Sequence, residues 1–372
     1  MSDQKDDSLM KPLTGNATES PPKNAATDKT KDGTASQQFK LLLLVMMVAQ
    51  NSSTVLVGRH TRSSVPKEEL YSVNHLICTC EMLKFILSCA LEYQGTNGQL
   101  MSSIQLHILD RPVDALKILV PALLYLLQNT LLYVALSNLT APIFQVTYQA
   151  KLVTTAVVSV IMLQRKYSFQ QWVCLVFLSL GVATVVLGEK GGSKDNEESG
   201  SQNLFVGLVS VTTACFSSAL AGVYFEYVVK KPAAAGQTAP APSLWMRNMQ
   251  LAFFSVCIAI GQGIFQSAKQ TDVPAGQGYF HGFTFWVWVL VSLQAGGGLL
   301  VAAVIKYADN VLKGMATGVS VVTSTACSFF LFGTALTGQF VIGAVMILIS
   351  VYGFSNPLPM PGGANRAFTL PK

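Results

Sequence analysis

Lys151 falls about ten residues inside the apolar run 141 to 163, a depth at which a charged side chain costs roughly 2.5 to 3.5 kcal/mol on insertion scales. It must face protein or water. At helical spacing Phe144, Tyr148, Lys151 and Thr155 share one face, giving a cation flanked by aromatic and hydroxyl groups. The plainer alternative is a lysine that snorkels to an interface or pairs with a carboxylate, but the run contains no acid. In the preceding run, 114 to 136, Tyr125, Gln128, Asn129 and Tyr133 follow one another at spacings of three and four along an otherwise Leu-rich stripe. They are either ligand contacts or hydrogen-bonding glue between helices. Lys306 ends the run 284 to 305, where spacing alone favours a topology anchor over a ligand. Lys313, Thr317, Ser320 and Ser324 continue as a polar stripe along the next run.

Other polar groups support other roles. Gln50-Asn-Ser-Ser-Thr54 is too polar to face lipid on every side and reads as the wall of a watered cavity. Glu81 and Lys84, three apart, can form an intrahelical pair. Glu226 near one helix end and Arg247-Asn248 at the start of the next could clamp a loop. Gly296-Gly297-Gly298 and Gly314-x-x-x-Gly318 read as close-packing motifs. The four His are scattered without ligand spacing, and no nucleophile elbow, phosphate loop or paired-carboxylate motif occurs. Neither catalysis nor a metal or other cofactor is expected. Seven Cys fall singly within apolar stretches and read as small hydrophobes. The Asn-x-Ser/Thr matches at Asn16, Asn51 and Asn138 lie in a tail, a span and a short turn.

The elements that position these groups follow from composition. The 372 residues are 51% hydrophobic and 12% charged, about half the charged fraction of a soluble globular protein. The net charge of +6 is too diffuse to suggest nucleic acid. Ten apolar runs are each long enough to span a bilayer: 39 to 58, 71 to 93, 114 to 136, 141 to 163, 169 to 188, 203 to 229, 245 to 266, 284 to 305, 314 to 333 and 336 to 354. Residues 1 to 38 form a polar, disordered tail, with no cleavable leader at their start. Alternating from a cytosolic N-terminus puts about 17 Lys and Arg on the cytosolic side and about 6 opposite, so both termini are expected in the cytosol.

The halves echo each other weakly. Ala135-Leu-Ser-Asn-Leu-Thr-Ala-Pro142 and Tyr307-Ala-Asp-Asn-Val-Leu-Lys-Gly314 each enter a helix rich in Thr and Val, followed by a span beginning near Gln171-Trp172 or Gln339-Phe340. Because five spans is an odd number, such a repeat is inverted in the membrane. The expected architecture is all-α, ten transmembrane helices in two inverted five-helix repeats. Its divisions are a tail 1–38, a first repeat 39–188, a lumenal loop 189–202, a second repeat 203–354 and a cytosolic tail 355–372.

Five segments carry a resemblance: Leu126-Leu-Gln-Asn-Thr-Leu-Leu-Tyr-Val-Ala-Leu-Ser-Asn-Leu139, Phe144-Gln-Val-Thr-Tyr-Gln-Ala-Lys151, Ala221-Gly-Val-Tyr-Phe-Glu226, Ser243-Leu-Trp-Met-Arg-Asn248 and Lys306-Tyr-Ala-Asp-Asn-Val-Leu-Lys-Gly314. In order and spacing they resemble eukaryotic nucleotide-sugar transporters of the drug/metabolite transporter superfamily, over roughly residues 39 to 354. The resemblance implies a Golgi or endoplasmic reticulum membrane and antiport of a cytosolic nucleotide sugar against a lumenal nucleoside monophosphate. It implies that Lys151 and Lys306 contact the ligand's phosphates and that Tyr125, Gln128, Asn129 and Asn248 line the cavity; Tyr148 joins them from its shared face with Lys151. The implied partners are these nucleotides and the lipid bilayer, with a homodimer left open. Thr130 and Ala150 depart from the family's usual Asn and Leu. Phe144 and Ala252, where CMP-sialic acid members are expected to carry Tyr, and the Thr154-Thr155 pair resemble the UDP-sugar members. The expectation is a carrier of UDP-N-acetylglucosamine, UDP-galactose or both, with CMP-sialic acid, or a proton-coupled exporter on the same fold, as alternatives.

Overall fold

The computed structural model of the chain describes residues 24–63, 69–190, 203–230, 240–268, 278–333 and 336–356. It divides into two units, 1–41 and 42–372. Of the first, the helical stretch from Asn24 is described; the second holds the remaining helices. In chain order the helices are α1 (Asn24–Ser63), α2 (Val73–Gly95), α3 (Leu100–Ile104), a π-helical turn (Gln105–Leu109), α4 (Pro112–Leu116), α5 (Leu119–Asn138), α6 (Ala141–Tyr148), α7 (Ala150–Leu163), α8 (Phe169–Lys190), α9 (Leu204–Lys230), α10 (Leu244–Ala268), α11 (Phe285–Tyr307), α12 (Asn310–Phe332) and α13 (Gly338–Ser355). Among the described residues there is no strand.

Among the described residues nine segments are long and apolar enough to cross a membrane, and they coincide with nine of the ten expected spans to within a few residues. The remaining span, 71 to 93, is α2, which has 23 residues but carries Glu81, Lys84 and Glu92 and is not among the nine. α1 begins inside the segment expected to be a tail, whose residues 1–23 lie outside the described residues. So do most of the expected loop 189–202 and nearly all of the tail 355–372.

The chain folds outward-apolar because its helices are apolar on more than one face. Val45, Ile86, Leu180, Phe216, Ile260 and Ile349 are all exposed, an exterior that water would not tolerate and lipid does. Exposed hydroxyls satisfy themselves one turn back: Thr130 donates to the Leu126 carbonyl at 3.1 Å, Thr213 to Val209 at 2.8 Å and Ser292 to Trp288 at 2.9 Å. The chain is a multi-pass membrane protein.

Inside, one core cluster joins α1, α9, α10 and α11 through Met47, Phe225, Leu244 and Ile305. A second joins α7, α8, α12 and α13 through Ala156, Leu175, Met315 and Ile347. The principal pairings are α8 with α13, α5 with α9, α10 with α2, α7 with α9 and α11 with α2, and α10 also meets α5. α1 reaches α11 and α12: Gln50 Nε2 donates to the Leu293 carbonyl at 3.0 Å and Ser52 to the Ser320 carbonyl at 3.1 Å. Gln50 and Ser52 of the polar run thus tie α1 to its neighbours. α8 and α13 approach at backbone distance, since a Cβ on Gly343 would stand 2.6 Å from the Gly181 carbonyl oxygen and 2.9 Å from the Val185 nitrogen.

The fourth span is two helices. α6 and α7 meet at Gln149, where the Gln149 amide is shared between the carbonyls of Gln145 and Val146 (3.3 and 3.2 Å) and the Leu152 amide bonds three residues back to Gln149 at 3.3 Å. This is a single tightened turn. It lies between Tyr148 and Lys151.

Charged groups at the helix ends are matched in two clusters. In the α7–α8 connection Arg165 bridges Glu226 of α9 at 2.5 Å and Asp309, the residue capping α12, at 2.6 Å. Lys230 pairs with Glu226 at 2.8 Å and also donates to the Ala308 carbonyl at 2.6 Å. Burial works against the Arg165 charge, but the Asp309 and Glu226 carboxylates more than offset it and hold the guanidinium above its ordinary value. In the second cluster Arg247 of α10 pairs with Asp114 of α4 at 2.5 Å, while buried Glu92 accepts from Ser103 at 2.5 Å and from Ser243. Glu226 and Arg247 thus clamp different connections, not one loop between them.

The α8–α13 contact and the Arg165 cluster each predict an effect on stability. Gly343→Ala should lower the melting temperature of the purified protein, overpacking typically costing about 1–3 kcal/mol. The same substitution at Gly261, whose new methyl meets nothing within 4 Å, should leave it unchanged; equal effects would refute the tight α8–α13 contact. Arg165→Ala should destabilise more than Lys230→Ala, by about 3 kcal/mol or somewhat less because Arg165 is 26% exposed. Arg165→Lys should recover only part, since an ammonium is not a fork. If Lys230→Ala proves the worse, Arg165 is not the tie.

Candidate functional site

Two cavities within the bundle are lined by described residues. The first, of about 280 Å³, lies among α6, α7, α8, α9 and α12. Its polar lining is Tyr148, Gln149, Lys151, Thr155, Ser179, Ser218, Asn310, Lys313 and Thr317, and it contains no carboxylate. Lys151 lines it beside Tyr148: Nζ donates to the phenol oxygen at 3.3 Å and stands 5.4 Å from the ring centroid. Behind Tyr148 the Phe144 ring lies nearly parallel at 5.7 Å. α12 can border the cavity closely because Gly314 and Gly318 present no side chain there.

The second cavity, of about 310 Å³, lies among α2, α5, α9, α10 and α11. Tyr125, Asn129, Asn248, Ser255 and Gln262 are on its wall together with Glu81 and Lys84. Those two form an ion pair at 2.5 Å, so this cavity carries a balanced charge where the first carries an excess of cations. Asn248 is 1% exposed and its Nδ2 has no hydrogen-bond partner in the protein, a cost that a ligand's acceptor would remove. Gly298 faces the Lys84 stem, leaving room for it to lie along α11.

The expected site residues therefore divide. Tyr148 and Lys151 share the first cavity; Tyr125, Asn129 and Asn248 share the second. Gln128 is buried against neighbouring helices with Oε1 unpartnered, and lines neither. Lys306 lies next to Ile305, which does line the second cavity, but its own Nζ sits 5.5 Å from the Tyr307 ring centroid. Phe144 and Ala252 line neither cavity. Sequence reasoning passed over Ser179, Ser218 and Asn310, single polar residues that no periodicity marks. It placed Lys313 on a polar stripe without assigning it to a site. Glu81 and Lys84 pair as expected, and the pair faces a cavity.

Chemically the first cavity presents cations, hydroxyls and amides in a space sheltered by apolar helices, where electrostatic interactions are strengthened. Among the described residues no group of three or more His, Cys, Asp or Glu could hold a metal ion.

Comparison with known proteins addresses the whole chain. The sequence profile of the nucleotide-sugar transporter family matches residues 35–355. The chain is 39% identical over 335 residues to the UDP-N-acetylglucosamine transporter of Canis lupus familiaris, covering 88% of this chain and 98% of that protein. It is 40% identical over 332 residues to the UDP-N-acetylglucosamine transporter of Homo sapiens, covering 87% and 97%. With the UDP-galactose translocator of Mus musculus the identity is 41% over 337 residues, covering 90% and 81%. A solved crystal structure 12% identical aligns with a TM-score of 0.57 over 85% of this chain and 96% of its own, a likeness of fold alone. A matched profile over most of the chain, relatives of similar length and bundled membrane helices agree with the resemblance read from the five sequence segments: the chain belongs to the nucleotide-sugar transporter family, a family of transporters and not of enzymes.

Proposed function

We propose that this protein is an antiporter that carries a UDP-sugar, UDP-N-acetylglucosamine or UDP-galactose, from the cytosol into the Golgi lumen in exchange for UMP. The observation that carries the reading is the first cavity, where Lys151 faces a sheltered space without a carboxylate. A diphosphate is the kind of anion such a space accommodates. The names of the relatives, UDP-N-acetylglucosamine transporter and UDP-galactose translocator, support the nucleotide and the choice of sugars. In this reading Lys151 and Tyr148 receive phosphate, Tyr125, Asn129 and Asn248 receive another part of the ligand, and Lys306 and Gln128 join as the protein changes state.

The architecture proposed is ten spans, α2 included, in two inverted five-helix repeats, 39–188 and 203–354, with both termini cytosolic. Numbering the spans one to ten, the pairings support it. Five meets ten and two meets seven, each its own counterpart under a shift of five. Three with six answers to eight with one, four with six to nine with one, and two with eight to seven with three. A sheltered site between such halves suits alternating access. A proton-coupled exporter would need a free cavity carboxylate, and Glu81 is already paired with Lys84.

Proteoliposomes preloaded with UMP should take up labelled UDP-N-acetylglucosamine or UDP-galactose much faster than empty ones, and Lys151→Ala should abolish uptake while leaving the protein in the membrane. Uptake driven equally well by a pH gradient with no internal nucleotide would refute exchange. External UMP should inhibit more strongly than CMP; the reverse order would move the assignment to CMP-sialic acid.

A further inference from the structure

The connection between α2 and α5 is built inside out. Its longest helical piece, Leu100–Leu109, is α3 running directly into the π-helical turn. On one face Ser103 and His107, four apart, are buried, and polar ties hold that face against the protein. The Ser103 hydroxyl donates to buried Glu92 at 2.5 Å, a carboxylate that Ser243 also reaches, and Gln250 Nε2 donates to the His107 carbonyl at 3.3 Å. On the opposite face Met101, Gln105 and Leu109, again four apart, are exposed, Met101 to 78% and Leu109 to 69%. Exposed Val113 and Leu116 of α4 continue the apolar surface. A helix bathed in water presents the reverse arrangement, apolar side chains inward and polar ones outward.

Where this helix can lie is limited by its leashes. Four residues, 96–99, separate it from the end of α2, and two, Asp110 and Arg111, from the span that starts at Pro112. Fully extended they reach about 14 Å and about 7 Å. With α2 and α5 both spanning, the helix is therefore confined to the membrane surface. It cannot cross, because its ten residues rise only about 15 Å, half of the roughly 30 Å of hydrocarbon. A short helix held at that level with an apolar outer face has the acyl boundary as its natural cover. Charge gives it no direction, since Asp110 and Asp114 balance Arg111 and Lys117 within 96–118.

We propose that Leu100–Leu109 is an interfacial helix, its Met101–Gln105–Leu109 face seated in phospholipid where headgroups meet acyl chains, and that this contact is apolar, without preference for anionic lipid. The inference rests on α2 being one of ten spans, the architecture proposed above, which puts the helix on the cytosolic side. Its inner face then braces α10 against the membrane surface. The ties end on Ser243, whose hydroxyl accepts from the Met246 amide at 2.9 Å, and on Gln250, and between these two lies Asn248 on the wall of the second cavity.

The test places photoreactive benzoylphenylalanine singly at Met101, at Leu109 or at Ile86, an exposed residue of α2, in the full-length protein. Reconstituted in nanodiscs of phosphatidylcholine, with or without phosphatidylserine, each variant is illuminated and its adducts are identified by mass spectrometry. All three positions should yield phospholipid adducts, with phosphatidylserine no richer among them than in the disc. Adducts at Ile86 with none at Met101 and Leu109 overturn the interfacial helix and leave α2 a span; the opposite pattern keeps the helix and removes α2 from the spans; none at any position overturns both. Crosslinks from Met101 or Leu109 to a second copy of the chain assign the face to a contact between chains and overturn lipid as its cover, and enrichment of phosphatidylserine overturns its apolar character. Independently, Leu109→Asn should lower the melting temperature in the discs while Leu109→Met leaves it unchanged. A Leu109→Asn protein as stable as wild type counts against the proposal, because a water-facing position tolerates that change.

Discussion

A charge in a bundle whose outside is apolar must meet its opposite within the protein, and the places where this succeeds and fails organise the molecule. Arg165 succeeds by taking two carboxylates from two different helices, α9 and the start of α12. Arg247 succeeds by reaching from α10 to Asp114. Each pairing draws a connection onto a helix end distant in sequence, so the same interactions that neutralise charge also close the end of the bundle. Lys151 and Lys313 are the exceptions: they line one cavity and make no ion pair among the described residues.

The two cavities differ in kind. One is walled by hydroxyls and unmatched cations, the other by amides, a phenol and the Glu81–Lys84 pair. α9 borders both, through Ser218 and Phe225 two turns apart. It is apolar all round and heavily buried, as a helix at the centre of a bundle must be. A ligand with an anionic part and a hydrogen-bonding part matches that division better than a uniform pocket would.

How much of the structure is legible in the sequence depends on range. The spans are legible because the bilayer imposes a length on each, and Phe169–Gly188 or Phe285–Tyr307 need only their own residues to declare themselves. Lys151 is legible for the same local reason, an uncompensated charge deep in an apolar run. Partners across the bundle are not. Glu226 and Arg247 sit close in sequence and invite pairing, yet Arg165, 61 residues from Glu226, holds it. Gln50–Thr54 is polar enough for a cavity wall, but nothing local reveals that the Leu293 and Ser320 carbonyls stand opposite. The turn at Gln149 has no signal at all, since neither Pro nor Gly marks it.

That turn has a mechanical meaning. α6 and α7 each keep a hydrogen-bond ladder of their own, and the bonds around Gln149 are the irregular ones between them; exchanging a few such bonds costs on the order of 1 kcal/mol apiece. The joint is therefore soft where the rest of the helix is stiff. Tyr148 is the last residue on one side of it and Lys151 the second on the other, so a few degrees of torsion lengthen or shorten their 3.3 Å contact directly. The phenol and the ammonium stand like the two arms of a caliper across the joint, and the width of the gap between them follows how far the helix has turned.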